Sequence, residues 1–200
     1  MTSRTLAKAM AIALALATPA AALDLGAAIP ERAVKMRSVD GRELSIADTS
    51  GGKGTLVIFT CNHCPWAKAW EERIVLLGNT YQKRGVGVIA VNANDPKEHA
   101  EDGFDEMVKR AKSRDFQFPY VVDGGSKVAR AFGAERTPEA FLFDANGILV
   151  YHGTIDDNAE DPSGVKQHFL GDALEAVATG QPVQTKETKA LGCSIKFYEG

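Results

Sequence analysis

The apolar positions of this chain fall into two rhythms, and the switches between them mark its elements. Residues 34–46 (VKMRSVDGRELSI) read as two short extended segments around an Asp40-Gly41 turn, which predicts a β-hairpin. Residues 55–59 (TLVIF) form an uninterrupted apolar run of strand length, the kind buried at the centre of a sheet. From Pro65 the spacing becomes helical, with Trp66, Trp70, Ile74 and Leu77 along one face. Pro65 suits a first helical turn, where its missing N–H costs nothing. Residues 85–95 give a second buried strand that runs into a polar loop. Residues 101–115 predict an amphipathic helix with Phe104, Met107, Val108 and Ala111 inward. A short strand and turn follow at 118–125, then a short helix at 126–134 with Ser126 as its expected N-cap. Residues 139–155 predict the clearest hairpin, two apolar strands joined at Asp144-Ala145-Asn146-Gly147. A last amphipathic helix is expected over 163–180, capped by Ser163 and ended near Gly180.

Strands separated by helices favour parallel neighbours, and the late hairpin adds an antiparallel pair. The expectation is an α/β fold: a mixed central β-sheet with helices on both faces and an N-terminal β-hairpin. No repeat or linker divides the chain.

The first residues stand apart. Arg4 and Lys8 precede an apolar run from Ala9 to Ala17, followed by Thr18-Pro19 and small residues with Ala20 and Ala22 at A-x-A positions. These are the three regions of a secretory signal, and the apolar run is well short of the roughly 20 residues of a membrane span. Residues 1–22 are therefore expected to be a signal peptide cleaved after Ala22, leaving a domain at 23–184 and a polar tail at 185–200. Removing two basic and no acidic side chains takes the formal net charge from −3 to −5. An acidic mature chain argues against nucleic acid as a partner. No other segment is long and apolar enough for stable membrane insertion, and the Ala-rich leader points to a bacterial periplasm.

Three cysteines remain, an odd number in a compartment where disulfides persist. Cys61 and Cys64 bracket Asn62 and His63 where a strand ends and a helix begins; Cys193 lies in the tail. Two cysteines three apart suit a staple, a metal or electron transfer. Cys61, Cys64 and His63 with a distant His99, His152 or Cys193 would supply soft ligands for copper(I) or zinc. Zinc normally draws on four well-spaced ligands, and there is no second CxxC. His99, His152 and His168 taken singly read as solvated or hydrogen-bonded residues. The acidic run Asp156, Asp157, Glu160 and Asp161 reads as a solvated loop, without the order of a calcium loop.

The CxxC at a strand–helix junction, followed by Thr137-Pro138 just before a hairpin, resembles the thioredoxin superfamily. FTCNHCPW, VNANDP, FGAERTPEAFLFD, YHGTIDD and GCSIK together resemble its peroxiredoxin-like branch, the AhpC/TSA-like or redoxin-domain proteins, over nearly all of residues 24–200. The resemblance implies a thioredoxin-like fold and a thiol–disulfide oxidoreductase working without an organic cofactor. Its partners would be protein or small-molecule thiols and disulfides and a redox partner protein. Cys61 would attack, Cys64 resolve, His63 favour the thiolate, and a cis Thr137-Pro138 shape the substrate groove with its backbone beside Cys61. Cys193 is a candidate accessory redox thiol.

A helix amino terminus favours a thiolate, and the resemblance to the superfamily's periplasmic oxidants implies that His63 does so too, so Cys61 is expected to ionise below the free value of about 8.5 with a potential more oxidising than that of cytosolic thioredoxin. The strand 55–59 lacks the carboxylate that thioredoxins bury beneath the second cysteine. A proton relay would then use His63, water, Glu71 or Asp95, and Asn92 and Asn94 are placed to order the redox loop. A copper(I) chaperone is the alternative of a different class. A thiol peroxidase fits less well: the Pro-x-x-x-Thr/Ser-x-x-Cys frame puts Val57 and Cys61 before Cys64, or Gly54 and Ile58 before Cys61.

Overall fold

The computed structural model describes residues 22–199; the leader expected at residues 1–22 falls outside them, save Ala22. Two buried strands form the spine, β3 (Gly54–Phe59) and β4 (Val86–Asn92), whose residues are buried throughout. They run parallel, joined by the helix α1 (Pro65–Lys83). β1 (Met36–Ser38) and β2 (Glu43–Leu44) form the early hairpin, and β5 (Tyr120–Val122) lies between β1 and β4. β7 (Glu139–Asp144) and β8 (Leu149–Gly153) form the late hairpin on the other flank. The sheet order is β2-β1-β5-β4-β3-β7-β8, with β3–β4 and β4–β5 parallel and the other pairs antiparallel. A second, two-stranded sheet joins β6 (Arg136–Thr137) to β9 (Cys193–Ser194).

The period-2 alternation of the strands divides the core in two. Leu56 and Ile58, with Val88 and Leu142, face α1, α2 (Phe104–Ser113) and α4 (Phe169–Thr179). Val57 and Phe59, with Val91 and Phe141, face the short helix α3 (Lys127–Phe132) and the carboxyl-terminal Ile195. Helices thus cover both faces, as expected. No helix of the described residues is long and apolar enough to cross a membrane.

Several local expectations are corrected. Trp66 does not join the inward face of α1 and is 39% exposed; the buried positions are Ala67, Trp70, Glu71, Ile74, Val75, Gly78 and Tyr81. Ser126 does not cap α3: Asp123 accepts the Val128 and Ala129 amides, while the Ser126 hydroxyl donates to the Ala93 carbonyl. The last helix begins at Phe169, and Ser163 belongs to a separate 3-10 turn whose Asp161 accepts its amide. Asp156 is not solvated either. It is buried and accepts from Trp70 Nε1 at 2.7 Å and Arg73 Nη1 at 2.6 Å, because Arg73 lies one helical turn beyond Trp70 and supplies the countercharge.

Gly87 in β4 passes so close to the preceding loop that a Cβ would lie 1.9 Å from the Thr49 carbonyl and 2.5 Å from the Gly51 nitrogen. Neither backbone atom can swing aside. Gly87→Ala is expected to destabilise the fold by about 3 kcal/mol, read as a lowered urea midpoint; an unchanged midpoint would refute this contact.

Candidate redox site

β3 delivers the chain to Cys61 just past its carboxyl end, and Pro65 opens α1 three residues after Asn62. The loop between them is fixed by one carboxylate, that of Asp102, which ends a 3-10 turn at Ala100–Asp102. Its Oδ1 accepts the Asn62 amide at 2.7 Å and the His63 amide at 3.2 Å. Its Oδ2 meets His63 Nδ1 at 2.5 Å and accepts Asn94 Nδ2 at 2.8 Å. Asn62 is pinned further, giving its side-chain amide to the Glu101 carbonyl and accepting the Tyr120 hydroxyl. The His99 ring stacks on His63 at 3.7 Å between centroids.

Asp102 is thus the buried acid that the β3 sequence lacks, reached from the loop after β4. Glu71 and Asp95, two of the relay candidates from the sequence, have other partners. Glu71 is held by Arg110 Nε at 2.6 Å and Nη2 at 2.8 Å, and Asp95 caps the turn at Lys97. Asn92 and Asn94 do order the loop: Asn92 Oδ1 accepts the Asn94 amide, and Asn92 Nδ2 donates to the Asp102 carbonyl.

On the opposite wall the Thr137-Pro138 bond is cis. The Thr137 hydroxyl lies 3.2 Å from Cys61 Sγ, and Cys64 Sγ donates to the Thr137 carbonyl at 3.1 Å. The main chain at Thr137 therefore faces Cys64, and its side chain faces Cys61, which refines the expected arrangement. Behind this wall Glu139 Oε2 accepts the amides of Glu135 and Arg136 at 2.8 Å each, and Oε1 meets His152 Nε2 at 2.7 Å. His152 is thereby a buried, hydrogen-bonded residue stacked on Phe141, and His168 is exposed.

All three cysteines are free and gather in one place: Cys193 packs against the cluster of Cys61, Cys64 and Ala67. Cys61 is 5% exposed and Cys64 fully buried. Cys64 is the N-cap residue of α1, and the helix end reaches both sulfurs: the Cys64 amide favours a thiolate on Cys61 and the Ala67 amide one on Cys64. The hydrogen bond to Cys64, then burial and the Asp102 charge, push the Cys61 thiol up. The hydrogen bond from Cys61, aided by Cys193 and the Ala67 amide, pulls Cys64 down against its burial. Two thiols this close titrate as a pair: the first proton leaves below the ordinary thiol range and the second is held above it. The low ionisation expected of Cys61 is therefore a property of the hydrogen-bonded pair, whose first proton leaves early.

Cys61, His63 and Asp102 place one ligand atom each within 4.8 Å of the others. As a cation site this trio is poor, since the Asp102 carboxylate already serves four N–H groups and one of them is the histidine nitrogen facing it.

Comparison with known proteins agrees with the geometry. The profile of the AhpC/TSA family matches residues 25–152. The thiol-disulfide oxidoreductase ResA of Geobacillus thermodenitrificans is 31% identical over 157 residues, covering 76% of this chain and 80% of that protein. The crystal structure of an uncharacterized conserved protein from Geobacillus kaustophilus superposes with a TM-score of 0.82 at 34% identity, covering 88% of this chain and 94% of that one. The solution structure of a thioredoxin-like protein in its oxidized form shares the fold, with a TM-score of 0.63 at 20% identity over 80% of this chain and 99% of that one. A matched profile over more than half of the chain, a relative of this identity and a thioredoxin-like fold around a CxxC lead to one conclusion: the chain belongs to the AhpC/TSA family.

Proposed function

We propose that this protein is a periplasmic thiol–disulfide oxidoreductase in which Cys61 takes the client sulfur and Cys64 resolves the mixed disulfide. The observation that carries this reading is the pair of free thiols between β3 and α1, faced by both the hydroxyl and the carbonyl of Thr137. The relative named as a thiol-disulfide oxidoreductase supports it.

In the reducing direction, Cys61 as thiolate attacks one sulfur of a client disulfide, and the other client sulfur leaves as a thiolate and takes up a proton. Cys64, deprotonated in turn, attacks Cys61 Sγ. The Cys61–client bond breaks, the client's second sulfur is released and protonated, and the enzyme is left with a Cys61–Cys64 disulfide. Two electrons pass from the enzyme to the client; the oxidising direction is the reverse, and the partner's potential selects between them. Cys61 is suited to first contact because it retains some exposure while Cys64 has none. The Thr137 hydroxyl can donate to a thiolate on Cys61, and the Thr137 carbonyl wants the proton kept on Cys64. His63, hydrogen-bonded to Asp102, is the titratable side chain of the motif itself and is suited to carry protons to and from the pair. The leader pattern at residues 1–22 supports export, and the mature protein would act free of the membrane on thiol and disulfide clients.

The deciding experiment equilibrates the reduced protein in glutathione redox buffers and reads its free thiols by alkylation. A two-electron couple confined to one intramolecular disulfide is expected. Stoichiometric, sub-nanomolar copper(I) binding without any disulfide turnover would replace this reading with that of a copper chaperone.

A further inference from the structure

We propose that Cys193 is a third redox thiol that receives the disulfide from the Cys61–Cys64 pair by exchange at Cys64. The inference rests on the function proposed above and extends it to a second exit for the oxidising equivalent.

The tail is built into the site. β9 runs antiparallel to β6 with Cys193 opposite Thr137. Gly192 lies so close that a Cβ there would stand 2.3 Å from the Thr137 carbonyl oxygen, which admits no side chain. The Ile195 amide donates to the Glu135 carbonyl at 2.9 Å, and Ile195 is buried in the core. Lys196 is held from both sides, its amide by Asn94 Oδ1 at 2.8 Å and its carbonyl by the Asp95 amide at 2.7 Å. Asn94 is the same residue that donates to Asp102, so one side chain ties the tail to the His63 loop. These restraints hold Cys193 against Cys64, in an extended strand paired with Thr137. An extended strand bearing a cysteine beside this wall is the arrangement expected of a bound client.

The exchange is balanced without an outside oxidant. In the oxidised enzyme the Cys193 thiolate attacks Cys64 Sγ, the Cys61–Cys64 bond breaks, and a Cys64–Cys193 bond forms. Cys61 leaves as a thiolate and takes up the proton that Cys193 lost. The oxidation state of the protein is unchanged. In the reduced enzyme, burial and then the hydrogen bond and charge of Cys64 push the Cys193 thiol up to about 11. A Cys64 already in a disulfide carries no such charge, so Cys193 gains reactivity when there is a disulfide to receive. The transfer moves one end of the bond from the buried Cys61 to the half-buried Cys193, and it frees Cys61 for another client.

The test uses the wild-type chain with one disulfide formed by oxidised glutathione, pulsed with a maleimide and mapped by mass spectrometry. Label on both Cys193 and Cys61 is expected, because the single free thiol then resides on either. Label confined to Cys193 would overturn the proposal. The Cys61→Ser variant, its fold checked by circular dichroism, is oxidised in the same way. An intramolecular Cys64–Cys193 linkage is expected, and accumulation of a glutathione adduct on Cys64 with Cys193 still alkylatable would count against it. Failure of the wild type to form any Cys61–Cys64 disulfide overturns the underlying function instead, so the two failures are distinguishable.

Discussion

Cys61→Ser is expected to lose disulfide turnover to the uncatalysed level, whereas Cys64→Ser stalls with its client attached. The two substitutions differ because attack and resolution are separate displacements. Without Cys61 the accessible sulfur of the CxxC pair is gone. Without Cys64 the first displacement still occurs, and the buried thiol that resolves the mixed disulfide is missing. Mixing each variant with a disulfide-bonded peptide and reading the products on non-reducing gels with mass spectrometry separates the cases. The experiment also weighs access against acidity. The hydrogen-bonded pair shares its first thiolate, and full burial keeps the Cys64 sulfur from clients. A trapped client on Cys64 in the Cys61→Ser variant, with none on Cys61 in the Cys64→Ser variant, would reverse the assigned roles.

Asp102→Asn is expected to shift the dithiol titration downward while slowing turnover by about 10²-fold, near the lower end of what a positioned acid–base group contributes. The sign follows from charge. The Asp102 carboxylate raises the Cys61 thiol, so removing its charge lowers the pH at which thiolate appears. Turnover falls nonetheless, because His63 loses the anionic partner of its Nδ1 and the Asn62 and His63 amides lose a charged acceptor. Thiolate absorbance against pH gives the first effect, and the pH profile of kcat/KM gives the second. A titration and a profile both superposable on the wild type would remove Asp102 from the site.

What the sequence made legible was local. The apolar runs at 55–59 and 85–95, the hairpin around Asn146-Gly147 and the CxxC before Pro65 each carry their signal within a few neighbours, and each stands where it was expected. Thr137-Pro138 became meaningful only through resemblance. Asp102 was hidden because its partners Asn62 and His63 lie about forty positions away, and in EHAEDG it is one acid among several. Asp156 was hidden likewise: only the packing of α1 brings Trp70 and Arg73 to it. The tail offered a polar sequence with a lone cysteine, and its strand exists only where Arg136 and Thr137 provide an edge to pair with. Pro65 likewise announced a helix start without saying that Cys64 would be its N-cap residue.

The Glu139 carboxylate behind the Thr137 wall has a consequence for recognition. By holding the Glu135 and Arg136 amides while His152 braces it, it leaves the rim of the groove ordered before any client arrives. A client therefore bears little entropic cost for shaping its docking edge. Discrimination among clients then shifts to the residues flanking their cysteine and to how readily they displace β9 from that edge. Selectivity in such a groove is a contest between two strands for one ladder, one of them always present at the concentration set by its own tether.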